Sequence, residues 1–313
     1  MEALKGTITH AESLAAEKVA ASLRHALRGI NTDDQTIIEV LTKHSSCQRQ
    51  EISEKYTNIY GRNLIDDIKA VLGGHFEDVC VALLKPIDEV LVDHLYDACK
   101  KKDKYCVFHV LCCHDSEELE SLKALFIIKY NVEPETYICE SFTGDIRRLL
   151  EMLVARADKE VNEDLAEIEG QQLYDAGVGR NWGSDKQIFL NILGSRNSKQ
   201  LVATLRAYER ISGHPLIAAI QSEFSGELKE ALVSIVLCVV NRPLFFAIQL
   251  FRCMRGAGTD DPTLIRVLIT RSEIDLENIK KVFQQKYHKE LKDAVIDDTS
   301  GDYQKILLKI IDP

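Results

Sequence analysis

The sequence lacks the features of membrane-spanning and secreted proteins, and it is poor in proline. Among 313 residues there are 6 prolines and a single tryptophan, and the first ten residues show no basic-then-apolar secretion signal. The longest apolar run, Ala231 to Val240, falls short of the roughly 18 residues that cross a bilayer. We therefore expect a cytoplasmic protein, with signal-less export to the cell surface left open. Apolar residues at 45% and charged residues at 28% favour a helical globular chain.

Positive charge is also scarce. Lys and Arg number 39 against 49 Asp and Glu, a net charge of −10. No basic stripe with interleaved aromatic residues is present, which argues against a nucleic-acid partner. The same charge repels an acidic membrane unless a divalent cation lies between them. The 9 cysteines are odd in number and irregularly spaced, so we expect core residues rather than a disulfide framework.

Catalytic motifs are absent as well. The sequence contains no Gly-x-Ser-x-Gly, no His-Glu-x-x-His, no phosphate-binding loop and no EF-hand spacing, so we predict that the protein is not an enzyme. Cys106, His109 and Cys113 share one helix face and could suggest zinc. Their spacing matches no standard zinc pattern, and the other copies of the repeat described next carry aliphatic residues there. We therefore predict a buried core face.

What the chain does contain is an internal repeat. Residues 27–33, 179–185 and 254–260 align on one glycine-containing frame, and a weaker copy between Pro86 and Arg156 ends in the similar segment 141–144. The repeat is about seventy residues long and occurs four times. The predicted boundaries are an N-terminal tail 1–12, copies 13–85, 86–157, 170–242 and 243–313, and an acidic linker 158–169 between copies two and three.

Periodicity within each copy is helical. Leu264, Ile265, Leu268 and Ile269 form one apolar face in copy four, and Ile37, Ile38 and Leu41 do so in copy one. Thr and Asp stand just before these helices, where their side chains can cap free N–H groups. The sequence predicts an all-α fold with about five short helices per copy and no sheet.

The glycine loops offer a particular chemistry. Glycines permit positive φ and remove Cβ atoms that would block an approaching ion, so backbone carbonyls can point outward. Calcium takes six to eight oxygen ligands, including carbonyls and a bidentate carboxylate. An acid stands forty residues after Gly258, at Asp298, and forty after Gly183, at Glu223. One acid per site predicts weak affinity without lipid, roughly 10⁻⁵ to 10⁻³ M.

Four copies, glycine loops and acids at a constant offset resemble the annexin family over essentially the whole chain. The segments 254–260, 263–267 and 298–303 of copy four carry the likeness most strongly. The resemblance implies four repeats of about five helices each in a right-handed superhelical, slightly curved disc. It further implies reversible, calcium-dependent binding to acidic phospholipid membranes of the phosphatidylserine type.

The resemblance also implies the ligands. In copy four they are the carbonyls of Met254, Gly256 and Gly258 with the Asp298 carboxylate; in copy three they are Gly179, Asn181 and Gly183 with Glu223. Trp182 and Arg180, at the tip of the copy-three loop, are expected to contact the membrane, where tryptophan partitions well.

Copies one and two depart from the pattern. In copy one Asn31 replaces a glycine, and Val71, which cannot bind a cation, stands at the acid position. That site is absent or is a weaker one that uses Thr32 and Asp34. In copy two the loop is about two residues shorter and reads 100–104 Lys-Lys-Lys-Asp-Lys. No calcium is expected there. Lys101 and Lys102 either contact lipid phosphates directly or form a solvated basic loop.

The leading hypothesis is a calcium-switched peripheral membrane scaffold or organiser. The alternative is a calcium-independent helical scaffold for protein partners, with partly vestigial calcium sites. A hydrolase ranks lowest because no motif supports it. Self-association on membranes is left open.

Overall fold

The computed structural model describes residues 3–28, 32–157, 159–177, 185–256 and 258–313, and these residues are all helical or in loops. They form twenty helices in four consecutive runs of five. Copies one and four fall in one compact unit, Met1–Leu91 with Phe246–Pro313, and copies two and three in the other, Val92–Phe245. The first unit contains α1 (Ala16–Ala26), α2 (Asp34–Lys43), α3 (Ser46–Tyr60), α4 (Leu64–Lys69) and α5 (Gly74–Leu84), with most of α16 (Arg242–Cys253) and all of α17 (Asp261–Arg271), α18 (Leu276–Tyr287), α19 (Leu291–Asp298) and α20 (Gly301–Ile311).

The second unit repeats the same order. Its helices are most of α6 (Ile87–Lys101) and all of α7 (Lys104–Cys113), α8 (Ser116–Tyr130), α9 (Pro134–Ser141) and α10 (Gly144–Ala155), followed by α11 (Glu163–Ala176), α12 (Lys186–Ser195), α13 (Ser198–Ser212), α14 (Leu216–Glu223) and α15 (Gly226–Val240). The all-α prediction with five helices per copy is confirmed. The exact boundaries of the copies stay a prediction.

One aspartate closes the loop between the first and second helices of every copy. Its side chain accepts a hydrogen bond from a backbone N–H of the second helix. Its own N–H donates a hydrogen bond to a carbonyl at the end of the first helix, over 2.8–3.0 Å. Between these two anchors the chain advances seven residues in copies one and four, five in copy two and nine in copy three. The anchor pairs are Ala26–Asp33, Ala98–Asp103, Ala176–Asp185 and Cys253–Asp260.

A glycine begins the fifth helix of every copy and fixes the register of the acid position. These glycines all have φ between 60° and 64°, a conformation that a side chain would strain. They are Gly74, Gly144, Gly226 and Gly301. Three residues before each stands the acid position, which is occupied by Val71, Ser141, Glu223 and Asp298.

Two segments differ from the sequence prediction. The linker 158–169 is helical from Glu163 onward, because the Asn162 side chain accepts the Leu165 N–H and caps α11. Glu169, at the predicted end of the linker, is buried and accepts a hydrogen bond from Arg196 over 2.6 Å. In copy two, α6 continues through Lys101, so that the loop proper is reduced to Lys102 and Asp103.

The cores of the two units contain the predicted apolar faces. Cys106, His109 and Cys113 are all buried in α7, as the core interpretation predicts. An interior ion pair forms between Arg271 and Asp275, both buried, over 2.8 Å. Among the described helices none is long and apolar enough to cross a membrane.

The N-terminal tail lies against copies four and one within the first unit. The N–H groups of Thr7 and Ile8 both donate to the Ser272 carbonyl, over 2.6 and 3.0 Å, and Ile8 is buried. Farther along, Ala11 exchanges two hydrogen bonds with the Gln48 side chain. A Cβ added at Gly6 would lie 2.5 Å from the Ser272 carbonyl oxygen, closer than real contacts allow.

We expect Gly6→Ala to undock the tail, because the backbone at residue 272 cannot yield without losing the two bonds from residues 7 and 8. The cost should be about 1–3 kcal/mol of local stability. Trypsin cleavage after Lys5 measures it, since both the N–H and the carbonyl of Lys5 are hydrogen-bonded when the tail is docked. Leu4→Ala is the control, because Leu4 is exposed. Equal cleavage rates in the two variants would contradict the prediction.

Candidate metal centre

Copy four brings three of its four predicted ligands together at one pocket, and Gly258 is not among the residues that line it. Met254, Gly256 and Asp298 line one pocket of about 260 Å³ at the end of α16. Gly256 and Gly258 have φ of 123° and 95°, and no atom lies within 4 Å of where a Cβ would stand at either. Glycine is therefore required there by the backbone conformation and not by lack of space.

The Asp298 carboxylate is held against the loop by a threonine. Thr259 Oγ1 donates to Asp298 Oδ2 over 2.6 Å and to the Asp298 carbonyl over 3.1 Å. The acid forty residues away is thus fixed beside the glycine loop, and the hydroxyl satisfies one of its two carboxylate oxygens. Sequence reasoning found Asp298 but missed the role of Thr259, although a threonine or serine follows the second loop position in copies one, three and four.

The donor chemistry suits a hard cation. The predicted ligands are three backbone carbonyls and the Asp298 carboxylate, which are calcium-type oxygen ligands. No thiol or imidazole lines this pocket. Four protein ligands would leave several positions of the ion to outside ligands, because calcium takes six to eight oxygens.

In copy three only part of the predicted site falls within the described residues. Glu223 ends α14 at the same register position as Asp298, three residues before the positive-φ Gly226, and is exposed. The predicted loop residues Gly179, Arg180, Asn181, Trp182 and Gly183 lie outside the described residues. The two anchors of this loop are nine residues apart instead of seven, so positions cannot be transferred from copy four by simple counting across the loop.

Copy one has lost the carboxylate. Val71 stands at the acid position and is 44% exposed. The hydroxyl of Thr32, the counterpart of Thr259, donates to Asp34 Oδ1 over 2.6 Å instead. Thr32 and Asp34, the residues of the predicted weaker site, are therefore in contact with each other. Asn31 lies outside the described residues.

Copy two has replaced the glycine loop with lysines. Lys101 and Lys102 are exposed, and Lys102 has a positive φ of 59°. Lys104 turns away and pairs with Glu227 and Glu230 over 3.0 and 3.6 Å. Ser141 stands at the acid position. The structure leaves Lys101 and Lys102 facing outward where copy four has its glycines.

A second position, which we call the filler position, lies four residues before the acid position and was missed from the sequence. In copy one its aspartate accepts hydrogen bonds from Arg24, Arg62 and Tyr56, and the bond from Arg62 is the main reason that its pKa lies below the usual range. In copy two its tyrosine stacks on Tyr96 with ring centroids 5.1 Å apart. Copies three and four have alanine there. The four residues are Asp67, Tyr137, Ala219 and Ala294.

A model of the annexin family matches residues 18–83, 171–235 and 245–310, which is more than half of the chain. The chain belongs to the annexin family. It is 37% identical to mouse (Mus musculus) annexin A13 over 308 residues, covering 97% of each protein. The structure resembles annexin III with a TM-score of 0.87 at 35% identity, covering 99% of this chain and 98% of that one. It also resembles calcium-bound annexin (Sm)1, with a TM-score of 0.86 at 27% identity, covering 100% and 94%.

The four-repeat annexin fold is therefore established for this chain. Annexins are in general calcium-dependent phospholipid-binding proteins and are not in general enzymes. One of the similar structures is itself a calcium-bound annexin. These family properties agree with oxygen ligands collected at the copy-four loop.

Proposed function

We propose that this annexin binds reversibly to acidic phospholipid membranes when calcium rises, and that it acts there as a peripheral scaffold. In copy four the ion is held by the carbonyls of Met254, Gly256 and Gly258 and by the Asp298 carboxylate. In copy three the corresponding ligands are Gly179, Asn181, Gly183 and Glu223. Lipid phosphate oxygens complete the coordination of each ion.

The main support for the proposal is that residues distant in the sequence line one pocket. Asp298 is forty residues from Gly258 in the chain, yet its carboxylate is hydrogen-bonded to Thr259 and lines the same pocket as Met254 and Gly256. A net charge of −10 opposes contact with an acidic membrane, and a bound divalent ion reverses that opposition locally. Because lipid binds more tightly to the calcium-loaded protein, calcium also binds more tightly to the lipid-bound protein.

The remaining loops have supporting roles in this proposal. Trp182 and Arg180 enter the membrane interface beside the copy-three ion. Lys101 and Lys102 meet lipid phosphates without an ion, each contributing roughly 1 kcal/mol near the surface. Copy one contributes at most a weak site through Thr32 and Asp34. The protein is cytoplasmic at low calcium, and the four predicted copies (13–85, 86–157, 170–242, 243–313) fold as annexin repeats.

Vesicle sedimentation tests the proposal. We expect the protein to pellet with phosphatidylserine vesicles at millimolar calcium and to return to the supernatant when a chelator is added. Magnesium at the same concentration should not replace calcium, because it demands a small octahedral site and keeps its waters. No pelleting at millimolar calcium would refute the proposed function.

The alternative function, a calcium-independent scaffold, is favoured by the loss of two acid positions, Val71 and Ser141. Protein partners captured equally with calcium and with chelator, together with no vesicle binding, would support it.

A further inference from the structure

One helix of copy two is apolar on both of its sides. α8 buries Leu122 and Phe126 in the core, and on its outward side it carries Ala124, Ile127 and Ile128. All three outward residues are exposed, and Ile128, at 81%, has the highest exposed fraction among the large hydrophobic residues that the structure describes. A helix that covers a core needs only one apolar face, so packing within the chain does not explain the outward residues.

The other three copies show the same helix face with a polar surface. The third helix of every copy is followed by a residue with positive φ, and these residues are Gly61, Asn131, Gly213 and His288. Counting back seven, four and three residues from Asn131 gives Ala124, Ile127 and Ile128 in copy two. The nine corresponding residues of the other copies are all exposed, and each is polar or charged. They are Glu54, Thr57, Asn58, Arg206, Glu209, Arg210, Lys281, Gln284 and Gln285.

The apolar surface of α8 is therefore not a requirement of the repeat. Isolated exposed apolar residues are normal on protein surfaces, but a contiguous apolar patch marks an interaction site. Ile128 follows Ala124 by four residues and Ile127 by one, so the three side chains are neighbours on one helix face.

The same outward face is acidic nearer the start of the helix. Glu120 and Glu117 precede Ala124 by four and seven residues and lie on the same side of α8. Glu120 pairs with Lys123 over 3.0 Å, whereas Glu117 forms no ion pair within the described part of the chain. We call the outward face of residues 117–128 the α8 ridge. It is about 16 Å long at 1.5 Å per residue, acidic in its first half and apolar in its second.

Charge decides which partner fits the α8 ridge. In a symmetric dimer a second copy would bring the same acidic residues against Glu117 and Glu120, and an acidic membrane is repelled in the same way. The tail of the chain is docked elsewhere, through Thr7, Ile8 and Ala11. A helix with apolar residues on one side and Lys or Arg beside them complements both halves of the ridge.

We propose that the α8 ridge is a docking surface for a basic amphipathic helix of a partner protein. Three turns, about eleven residues, are enough to span it. The apolar residues of the partner cover Ala124, Ile127 and Ile128, and its Lys or Arg side chains lie beside Glu117 and Glu120. This function goes beyond membrane binding, because the ridge contains no glycine loop and no acid position. Docking is therefore expected to be the same with calcium and with chelator.

Fluorescence anisotropy with a labelled helical peptide tests the proposal. The probe has about fourteen residues, all leucine and lysine, with the leucines on one side, and is measured at about 0.15 M salt with calcium and with chelator. We expect saturable binding of one peptide per chain. Ile127→Thr with Ile128→Asn, which introduces the residues of copy one, should weaken binding at least about tenfold, because two isoleucines lose their buried contact.

A second probe tests the charge of the partner. It keeps the leucine side and carries glutamate in place of lysine, so it meets Glu117 and Glu120 with like charge. Its binding to the parent protein should be at least about tenfold weaker than that of the lysine peptide. Equal binding of the two peptides, or no saturable binding of the lysine peptide, would overturn the docking surface.

Val161→Thr with Ile168→Asn is the matched control. It makes the same kind of exchange at two exposed apolar residues of another acidic segment, 160–168, and should leave peptide binding unchanged. Both double variants should keep the melting temperature of the parent, because the exchanged side chains are exposed. An equal loss of peptide binding in the two double variants would show unspecific adsorption and would refute the proposal.

Two further measurements separate the other occupants. Sedimentation velocity without peptide should show no dimer that Ile127→Thr with Ile128→Asn dissolves; such a dimer would assign the ridge to self-association instead. Calcium-dependent pelleting with phosphatidylserine vesicles should be unchanged in the same variant, and its loss would assign the ridge to lipid. Absence of pelleting in the parent protein would refute the proposed membrane function and leave peptide docking standing.

Discussion

Removing both predicted carboxylates, Asp298→Asn with Glu223→Gln, should abolish most calcium-dependent pelleting. Each acid is the only charged ligand of its site, and its loss should raise the calcium requirement by roughly ten- to a hundredfold. The amide that replaces the Asp298 carboxylate retains an oxygen that can accept from Thr259, so the loop should stay closed. Sedimentation with phosphatidylserine vesicles over a calcium titration measures the effect.

A charge-matched control separates ligation from net charge. Glu12→Gln with Asp164→Asn also removes two negative charges, but from exposed positions away from the loops. This control should bind as the parent protein does or slightly better, because its net charge is less negative. If the loop double variant pelleted normally, the assigned ligands would be wrong. If the control lost binding equally, bulk charge would be the cause.

Replacing Arg49 with methionine should cost about 3 kcal/mol or more of unfolding free energy. The guanidinium is fully buried and donates to the carbonyls of Leu41 and His44 at the end of α2 and of Leu83 at the end of α5. Helix C-termini present unpaired carbonyls and partial negative charge, which this single cation satisfies. Methionine fills the volume and leaves those buried oxygens without a donor.

Thermal unfolding measures this prediction, with an expected fall of at least about 4 °C in Tm. Burial lowers the pKa of Arg49, and the nearby Glu273 carboxylate, 3.1 Å from Nη2, opposes that shift. Arg147→Met is the control, because Arg147 is half-exposed and, among the described residues, pairs with Glu151 one helical turn away, an interaction worth about 0.5 kcal/mol. An equal loss in both variants would contradict the capping role of Arg49.

Much of the fold could be predicted from the sequence, because the same residue pattern occurs in each of the four copies of the repeat. Apolar periodicity located the second helices of copies one and four, which the structure gives as α2 and α17. The acid position was found from spacing alone. The sequence pattern gave no sign of helix starts set by side-chain caps, as at Asn162, or of the end of α6, where the basic residues Lys100 and Lys101 remain helical.

The remaining features depend on contacts between residues far apart in the chain, which no local sequence pattern predicts. The contact of Thr259 with Asp298 joins two segments about forty residues apart. Docking of the tail on Ser272 joins opposite ends of the chain. The filler position could have been found by aligning the four copies around the acid position. Its meaning, however, appears only when Tyr137 is seen to lie where Ala294 leaves a pocket.

The shared aspartate clamp at the loop ends has an implication for engineering. The same two hydrogen-bonded anchors hold connecting segments of five, seven and nine residues. The helices therefore tolerate changes in the length and sequence of the loop between them. A designer could transplant the copy-four segment into copy two, exchange Ser141 for aspartate and Tyr137 for alanine, and leave the surrounding bundle untouched. The ion-binding loop of each of the four repeats could then be changed independently of the other three.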